Sequence, residues 1–308
     1  MTEISTRNAV SAVTTISSAA ALEKSRAVVF ADLVKARLTL LVLLTTCVGF
    51  YLGERGPVDG LLMFHALLGT ALVAAGAAAL NQLLERDYDA RMHRTASRPL
   101  PSGRLQPAFV AIFGGICSVA GLIYLATLVN LLTSVLGAVT SISYLFIYTP
   151  LKRLSWVNTL VGAIPGALPP LMGWAAARND LNGEGWTLLA ILAFWQIPHF
   201  MAIAWLYRED YARGGFVMLP NVDADGTRTA YQAVGNTLAL LVASLYPFFL
   251  GLNGRFYVVV VLLAGAGYLT FAVRFARQLN ARRARQLFLA SIIYLPCLLL
   301  AMVCDKIK

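Results

Sequence analysis

Charged side chains are scarce in this sequence. Only 13% of the 308 residues are Asp, Glu, Lys or Arg, whereas 58% are hydrophobic and the mean hydropathy is +0.70. This composition excludes a soluble globular domain. Stretches of about 17–25 apolar residues are long enough to cross a bilayer as helices. We therefore predict an all-α, polytopic membrane protein with nine transmembrane helices around a central cavity. The nine apolar segments are 38–54, 61–80, 108–128, 131–149, 157–176, 186–206, 231–251, 256–273 and 286–303.

Cysteines are also few, and they show no pairing pattern. The four lie in apolar stretches, so we interpret them as small core or lipid-facing residues rather than as a disulfide framework. They are Cys47, Cys117, Cys297 and Cys304. Residues 1–30 lack the compact apolar core and cleavage pattern of a secretory signal. We expect these residues to form a flexible N-terminal tail.

Acidic residues are outnumbered by basic ones, 15 to 25, which gives a net charge of +10. In an apolar chain this excess indicates membrane topology rather than nucleic-acid binding, because Lys and Arg gather in cytoplasmic loops. If the N-terminus is inside, the inner segments hold 20 of the 25 basic residues. This split predicts the N-terminus inside and the C-terminus outside.

The densest group of charged residues follows the second apolar segment. It contains Asn81, Glu85, Asp87 and Asp89. If the helix continues through Asp89, a step of four residues turns it by about 400°, so positions 81, 85 and 89 form one stripe with a spacing of roughly 6 Å. Asp87 points about 160–200° away from this stripe.

Two carboxylates and an amide on one stripe are the hard oxygen ligands that suit Mg²⁺. The same stretch carries Arg86, Arg91, Arg94 and Arg98, and a guanidinium binds phosphate through paired hydrogen bonds. Together these residues predict a magnesium–diphosphate site at the membrane surface. The alternative interpretation is a solvated loop of surface ion pairs, and it fits Asp87 best.

A second polar patch follows the sixth segment. The predicted topology places loops 81–107 and 204–230 on the same inner face, which suggests one cavity between two halves. The patch contains Glu209 and Asp210, but adjacent helical residues do not share a face, so a single ion held by both is disfavoured. His199 lies deep in the sixth segment, where a core residue and a site residue are both open interpretations.

The fifth segment contains three prolines and three glycines within 13 residues, which is not expected of a straight helix. Broken helices at membrane depth usually line a cavity. We therefore expect a broken helix there. The alternative is close helix packing through small residues.

These pieces, in this order, resemble the UbiA superfamily of intramembrane prenyltransferases. The spacing of Asn81, Glu85 and Asp89 is similar to the superfamily's first metal motif. The pieces Arg94-Thr-x2-Arg98-Pro, Pro169-Pro-Leu and Pro198-His-Phe are similar to the branch that farnesylates heme, the heme O synthases. The resemblance covers about residues 30–300.

The resemblance implies a single prenyltransferase domain over residues 31–308. It implies that farnesyl diphosphate, heme B and water give heme O and diphosphate, with Mg²⁺ as cofactor held by Asn81, Glu85 and Asp89. The superfamily's second acidic motif should fall near 208–211, where this sequence has Arg-Glu-Asp-Tyr rather than Asp-x3-Asp. One ion helped by arginine is therefore an alternative to two.

Beyond the metal motif, we assign roles to further residues as our own hypothesis. The expected catalytic residues are Asn81, Glu85, Asp89, Arg94, Arg98 and His199, the last as porphyrin contact or proton-transfer group. The expected substrate-binding residues are Lys35, Arg37, Tyr148, Lys152, Arg153, Asn158, Trp195, Arg208, Glu209 and Asp210. Besides membrane lipid, the expected partners are a heme A synthase or terminal oxidase that receives the product. The expected location is the cell inner membrane, with the mitochondrial inner membrane as alternative.

Three rival functions remain at this stage. A quinone-type prenyltransferase shares the acidic motif but accepts an aromatic ring, and the Pro-His-Phe piece disfavours it. A secondary transporter fits nine helices, but its site is expected at the bilayer midplane rather than at one surface. If the protein is instead an assembly scaffold for an oxidase, its function should be retained when Glu85 and Asp89 are replaced.

Overall fold

The computed structural model describes residues 25–307. Most of the predicted N-terminal tail, residues 1–24, and residue 308 lie outside the described residues. The last residues of that predicted tail belong to a short helix, Arg26–Leu33. Within residues 25–307 the only β-type pairing is an isolated bridge between Asn253 and Lys306. The predicted all-α class is confirmed.

Nine helices in the described part of the chain are long and apolar enough to cross a membrane, and each matches one predicted segment. We number them α1 (Ala36–Gly53), α2 (Gly60–Asp89), α3 (Pro107–Leu128), α4 (Leu131–Leu151), α5 (Asn158–Arg178), α6 (Gly183–Leu206), α7 (Thr227–Phe249), α8 (Arg255–Arg277) and α9 (Ala281–Cys304). Two short helices, Arg208–Arg213 and Leu219–Val222, lie between α6 and α7.

Helices α5 and α6 form the centre of the bundle. Their apolar windows are 72% and 61% buried, whereas the other seven range from 22% to 44%. Helices α1, α2 and α4 pack around α5, helices α7 and α9 pack around α6, and α1 also contacts α9. The outer helices leave their remaining apolar surface for lipid.

The expectation of a broken fifth helix is wrong. Helix α5 is continuous from Asn158 to Arg178 although it contains three prolines. Its small residues serve close packing instead: a Cβ on Gly173 would collide with the Thr46 carbonyl of α1, and a Cβ on Gly49 would collide with the Pro170 carbonyl. The alternative interpretation, packing through small residues, is the observed one.

Candidate active site

The site is built on the last two turns of α2. This helix runs unbroken to Asp89, as the stripe required, and the side chains of Asn81, Glu85 and Asp89 are buried. Buried carboxylates are costly unless they are paired. Each of the three stripe residues is bonded to a cation.

The three cations come from three different segments. Lys35 Nζ, just before α1, donates to Asn81 Oδ1 at 2.7 Å. Lys152 Nζ, just after α4, donates to Glu85 Oε1 at 2.8 Å. Arg98 Nη1, in the loop after α2, donates to Asp89 Oδ2 at 2.6 Å. The chain thus brings distant bases onto one stripe, which a solvated surface loop would not do.

Asp87 behaves differently. Its side chain is 73% exposed and pairs only with the neighbouring Arg86 at 3.1 Å. The interpretation as a surface ion pair therefore holds for Asp87.

Burial and neighbouring charge shift the pKa values of Lys35 and Lys152 in opposite directions. Burial, helped by the positive charge of Arg98, lowers the pKa of Lys35 to about 7. Burial also disfavours the charged form of Lys152. The attraction of the Glu85 carboxylate is larger than this effect, so the pKa of Lys152 lies above its usual value. Lys35 has a left-handed backbone (φ 49°), which is uncommon for a residue other than glycine and often marks a functional constraint.

An aromatic wall stands beside these cations. Near its end α4 passes through a π-helical segment, Ser143–Tyr148, which stacks the rings of Tyr144 and Tyr148. The hydroxyl of Tyr144 accepts from Lys35, and Lys152 Nζ lies 4.5 Å from the Tyr148 ring centroid. Lys152 Nζ also lies 5.8 Å from the ring centroid of Phe216, in the segment after α6. π-segments are frequent at functional sites.

Sequence reasoning found Tyr148 but missed three neighbours, namely Tyr144, Thr149 and Phe216. Thr149 holds the site together, since it accepts a hydrogen bond from Asn81 Nδ2 and donates one to the Tyr144 carbonyl. No sequence pattern indicates a π-segment, so helical spacing alone did not place Tyr144 inward. Phe216 is brought in by a loop contact between the Val217 amide and the Lys152 carbonyl.

The second acidic patch holds the loops together. The carboxylate of Asp210 accepts hydrogen bonds from the backbone amides of His93 and Arg94 and from Arg213 Nη2. Burial alone would raise the pKa of Asp210, but these three donors outweigh it and hold that pKa below its usual value. Asp210 thereby fastens the loop that carries Arg94 and Arg98 to the end of α6.

The remaining basic and acidic candidates lie around this patch. Arg94 donates to the Tyr211 hydroxyl and lies over the rings of Tyr207 and Tyr211. Arg208 lies over the ring of Trp205, and Glu209 is exposed. Two more candidates lie outside this patch: Arg153 donates to the Tyr88 hydroxyl, and Arg37 is exposed on α1.

His199 belongs to a separate aromatic cluster. Its ring stacks on Trp195 at 4.9 Å and lies 5.1 Å from the ring of Phe288, while Nδ1 is hydrogen-bonded to Ser291 Oγ at 2.7 Å. Within residues 25–307 it has no hydrogen bond or ring contact with the stripe or its three cations. The predicted site residues therefore form two groups.

Asn158 is fully buried and has a structural role. Its Nδ2 donates to the carbonyls of Ser155 and Val217, which secures the loop that carries Phe216.

The donor set of the stripe fits Mg²⁺. Within residues 25–307 no three His, Cys, Asp or Glu side chains form a metal cluster. Mg²⁺ instead needs one or two carboxylates and accepts amide oxygens and water. Asp89 Oδ1 is buried and has no hydrogen-bond partner among the described residues, which leaves an acceptor open on the stripe.

Comparison with known proteins gives the family of this chain. The model of the UbiA prenyltransferase family matches residues 42–295. A protein of Solibacter usitatus named protoheme IX farnesyltransferase is 47% identical over 286 residues, which cover 90% of this chain and 98% of that protein.

Two solved structures share the fold. A structure of digeranylgeranylglyceryl phosphate synthase superposes with a TM-score of 0.77 at 15% identity and covers 90% of this chain and 97% of that one. A UbiA homolog from Archaeoglobus fulgidus, solved with GPP and Mg²⁺, gives a TM-score of 0.62 at 15% identity and covers 90% and 99%. The chain belongs to the UbiA prenyltransferase family.

Proposed function

We propose that this protein transfers the farnesyl group of farnesyl diphosphate to a vinyl group of heme B, with addition of water, to give heme O and diphosphate. The observation that carries the proposal is the buried stripe of Asn81, Glu85 and Asp89, faced by three cations. A magnesium–diphosphate site needs oxygen ligands for the metal and cations for the phosphates, and this arrangement supplies both. The name of the Solibacter usitatus relative supports heme B as the acceptor.

The first requirement of the reaction is stabilisation of the leaving group. Ionisation breaks the allylic C–O bond and leaves negative charge on the diphosphate, which preorganised cations stabilise. Lys35, Lys152 and Arg98 converge on the stripe and are suited to this role. Mg²⁺ bound by the stripe would supply Lewis-acid charge at the same place. Arg37, Arg94 and Arg153 remain proposed further contacts to the diphosphate.

The second requirement is a surface that tolerates a carbocation. The faces of aromatic rings carry partial negative charge, and Tyr144, Tyr148 and Phe216 present rings near Lys152 and Lys35. The farnesyl carbon forms a bond to the terminal vinyl carbon of heme. The adjacent vinyl carbon then takes the hydroxyl of water, and the remaining proton is released.

We assign His199 and Trp195 to the porphyrin side of the reaction. The Nε2 atom of His199 has no hydrogen-bond partner among the described residues, while Nδ1 is held by Ser291. His199 is therefore proposed as a porphyrin contact or as the acceptor of the released proton.

We further propose one metal ion rather than two. Asp210 would be the natural ligand of a second ion, but two backbone amides and Arg213 already bond to its carboxylate. Glu209 is exposed and next to it in sequence, and adjacent residues on a helix do not face one ligand.

The protein is a multi-pass membrane protein. We propose the cell inner membrane as its location, with the site on the inner face. Its product would then pass to a heme A synthase or a terminal oxidase in the same membrane.

The test is a reconstituted assay. Purified protein in detergent is incubated with heme B, farnesyl diphosphate and Mg²⁺, with and without a chelator, and the products are analysed by mass spectrometry. We expect a hydroxyethylfarnesyl heme that disappears with the chelator. A parallel reaction with 4-hydroxybenzoate tests the quinone-type alternative, and prenylation of that ring in place of heme would overturn the proposal.

A further inference from the structure

Two adjoining cavities lie where the loop after α2, the end of α6 and the start of α9 meet. The first has a volume of about 770 Å³ and is lined by Arg94, Arg208 and Arg213 among others. The second, of about 300 Å³, is lined by Ile203, Leu206, Tyr207, Arg285, Phe288 and Leu289. Leu206 and Tyr207 line both, so the two cavities adjoin, and we call them together the α6–α9 groove.

The wide end of the groove is basic. Its acids are Glu209 and Asp210, and Asp210 is bonded to Arg213. Arg94 is held by Tyr211. The guanidinium of Arg208 lies over the Trp205 ring but has no hydrogen bond or ion pair within residues 25–307. The guanidinium of Arg285, which is exposed at the narrow part, likewise has no hydrogen bond or ion pair among these residues. Two guanidinium groups are therefore available for an anionic ligand.

The narrow part of the groove is apolar and leads to the histidine cluster. Ile203, Leu206 and Leu289 form its aliphatic surface. Phe288 also lines it, with its ring 5.1 Å from the His199 imidazole. A ligand that fits this space has a broad apolar body and carboxylates at one end. A guanidinium binds such carboxylates through paired hydrogen bonds.

We infer that the α6–α9 groove is the docking site of the porphyrin substrate, with Arg208 and Arg285 binding its two propionates and the macrocycle lying toward Phe288. This inference rests on the proposed function, since heme B is the only proposed substrate with two carboxylates on a flat apolar body. It places heme on the α6–α9 side of the bundle and the diphosphate at the stripe of α2.

The experiment compares Arg208→Gln and Arg285→Gln with the matched control Arg282→Gln. Arg282 is exposed on the first turn of α9 and lines neither cavity. Heme binding is followed by titration of the Soret band in detergent, and turnover is measured separately against heme B and against farnesyl diphosphate. The dimethyl ester of heme B, which lacks both propionate charges, is the comparison ligand.

Each groove variant is expected to weaken heme binding about tenfold, the equivalent of one charge-assisted hydrogen bond. The KM for heme should rise by a similar factor, with the KM for farnesyl diphosphate unchanged. Wild type should bind heme B more tightly than its dimethyl ester, and the double variant should lose most of this preference. Arg282→Gln should behave as wild type.

Equal heme affinity in wild type and both groove variants would overturn the inference, even if heme O is formed. So would weakened binding of vesicles rich in anionic lipid with unchanged heme affinity, because the arginines would then bind lipid headgroups. If wild type forms no farnesylated heme but the variants still lose heme affinity, the proposed reaction fails while the docking site stands.

Discussion

At the scale of single residues, the stripe of α2 is neutralised by protein cations rather than by solvent. Glu85 and Asp89 are buried, and their partners Lys152 and Arg98 are only 17% and 26% exposed in their side chains. Such pairs contribute little to stability by themselves, because desolvation offsets the attraction. Their arrangement is better explained by a ligand that needs acids and bases together.

We expect Glu85→Gln and Asp89→Asn each to lower turnover at least about 100-fold, since each removes a proposed metal ligand and changes the charge at the proposed diphosphate site. Asp87→Asn is the matched control, because Asp87 is exposed and off the stripe; it should stay within about twofold of wild type. Turnover is measured by mass spectrometry of heme products, and size-exclusion profiles establish that each variant is folded. Near-normal turnover in either stripe variant would contradict the metal assignment.

Asp210→Asn tests whether Asp210 is a structural residue that holds two loops together, here called a clamp, or a metal ligand. As a clamp it should be needed for stability, and the Mg²⁺ concentration that gives half-maximal activity should not change. Because hydrogen bonds hold the pKa of Asp210 below 3.8, its carboxylate stabilises the folded protein above that pH, and this contribution is lost as the pH falls through the lowered pKa.

The readout for Asp210 is the melting temperature in detergent as a function of pH. The variant should melt several degrees below wild type at pH 7, and the difference should shrink as the pH falls below about 4. A higher Mg²⁺ requirement with an unchanged melting temperature would instead make Asp210 a ligand.

At the scale of helices, sequence periodicity placed the acidic stripe correctly because one regular helix determines it. The spacing of four residues needs only that α2 continue to Asp89, and it does. Charge alone predicts which bases lie near the stripe, but their pairing with particular stripe residues depends on how α1, α4 and the loop after α2 pack. Pairings of that kind arise between segments distant in sequence, and no local pattern records them.

The fifth helix shows the opposite case. Proline and glycine content favoured a break, yet α5 is continuous, since tertiary packing on α1 and α6 overrides local propensity. The close approach of α1 and α5 explains why small residues are needed there. The π-segment of α4 is likewise set by its surroundings, where Thr149 bonds to the Tyr144 carbonyl.

Gly173→Ala is expected to destabilise the protein, because the added methyl group would meet the Thr46 carbonyl, which is backbone of α1 and cannot rotate away. Overpacking of this kind costs about 1–3 kcal/mol or more. Gly267→Ala in α8 is the control, since its Cβ would meet open space. The melting temperature in detergent should fall for the first variant and not for the second. Equal values would show that α1 and α5 can separate at no cost.

At the scale of the whole molecule, the loops sort to two ends. Asp210 joins the loop after α2 to the loop after α6, Lys152 joins the end of α4 to Glu85, and Leu279 lies against Gly226. At the other end, Lys306 bonds to the carbonyls of Tyr51 and Glu54. The end that carries the stripe is also the one that receives most of the Lys and Arg, which is the charge pattern of an inner face.

This charge pattern predicts that the active-site end faces the cytoplasm. In a chain whose four cysteines are replaced by alanine, single cysteines are introduced at Ala224, in the loop between α6 and α7, and at Gly56, in the loop between α1 and α2. Both positions are exposed, and a side chain on Gly56 would meet open space. A membrane-impermeant maleimide applied to intact cells should label position 56 and not position 224, and inside-out vesicles should give the reverse. Labelling of position 224 from outside would contradict the predicted topology. It would place the stripe on the outer face of the membrane, where farnesyl diphosphate from the cytoplasm could not reach it.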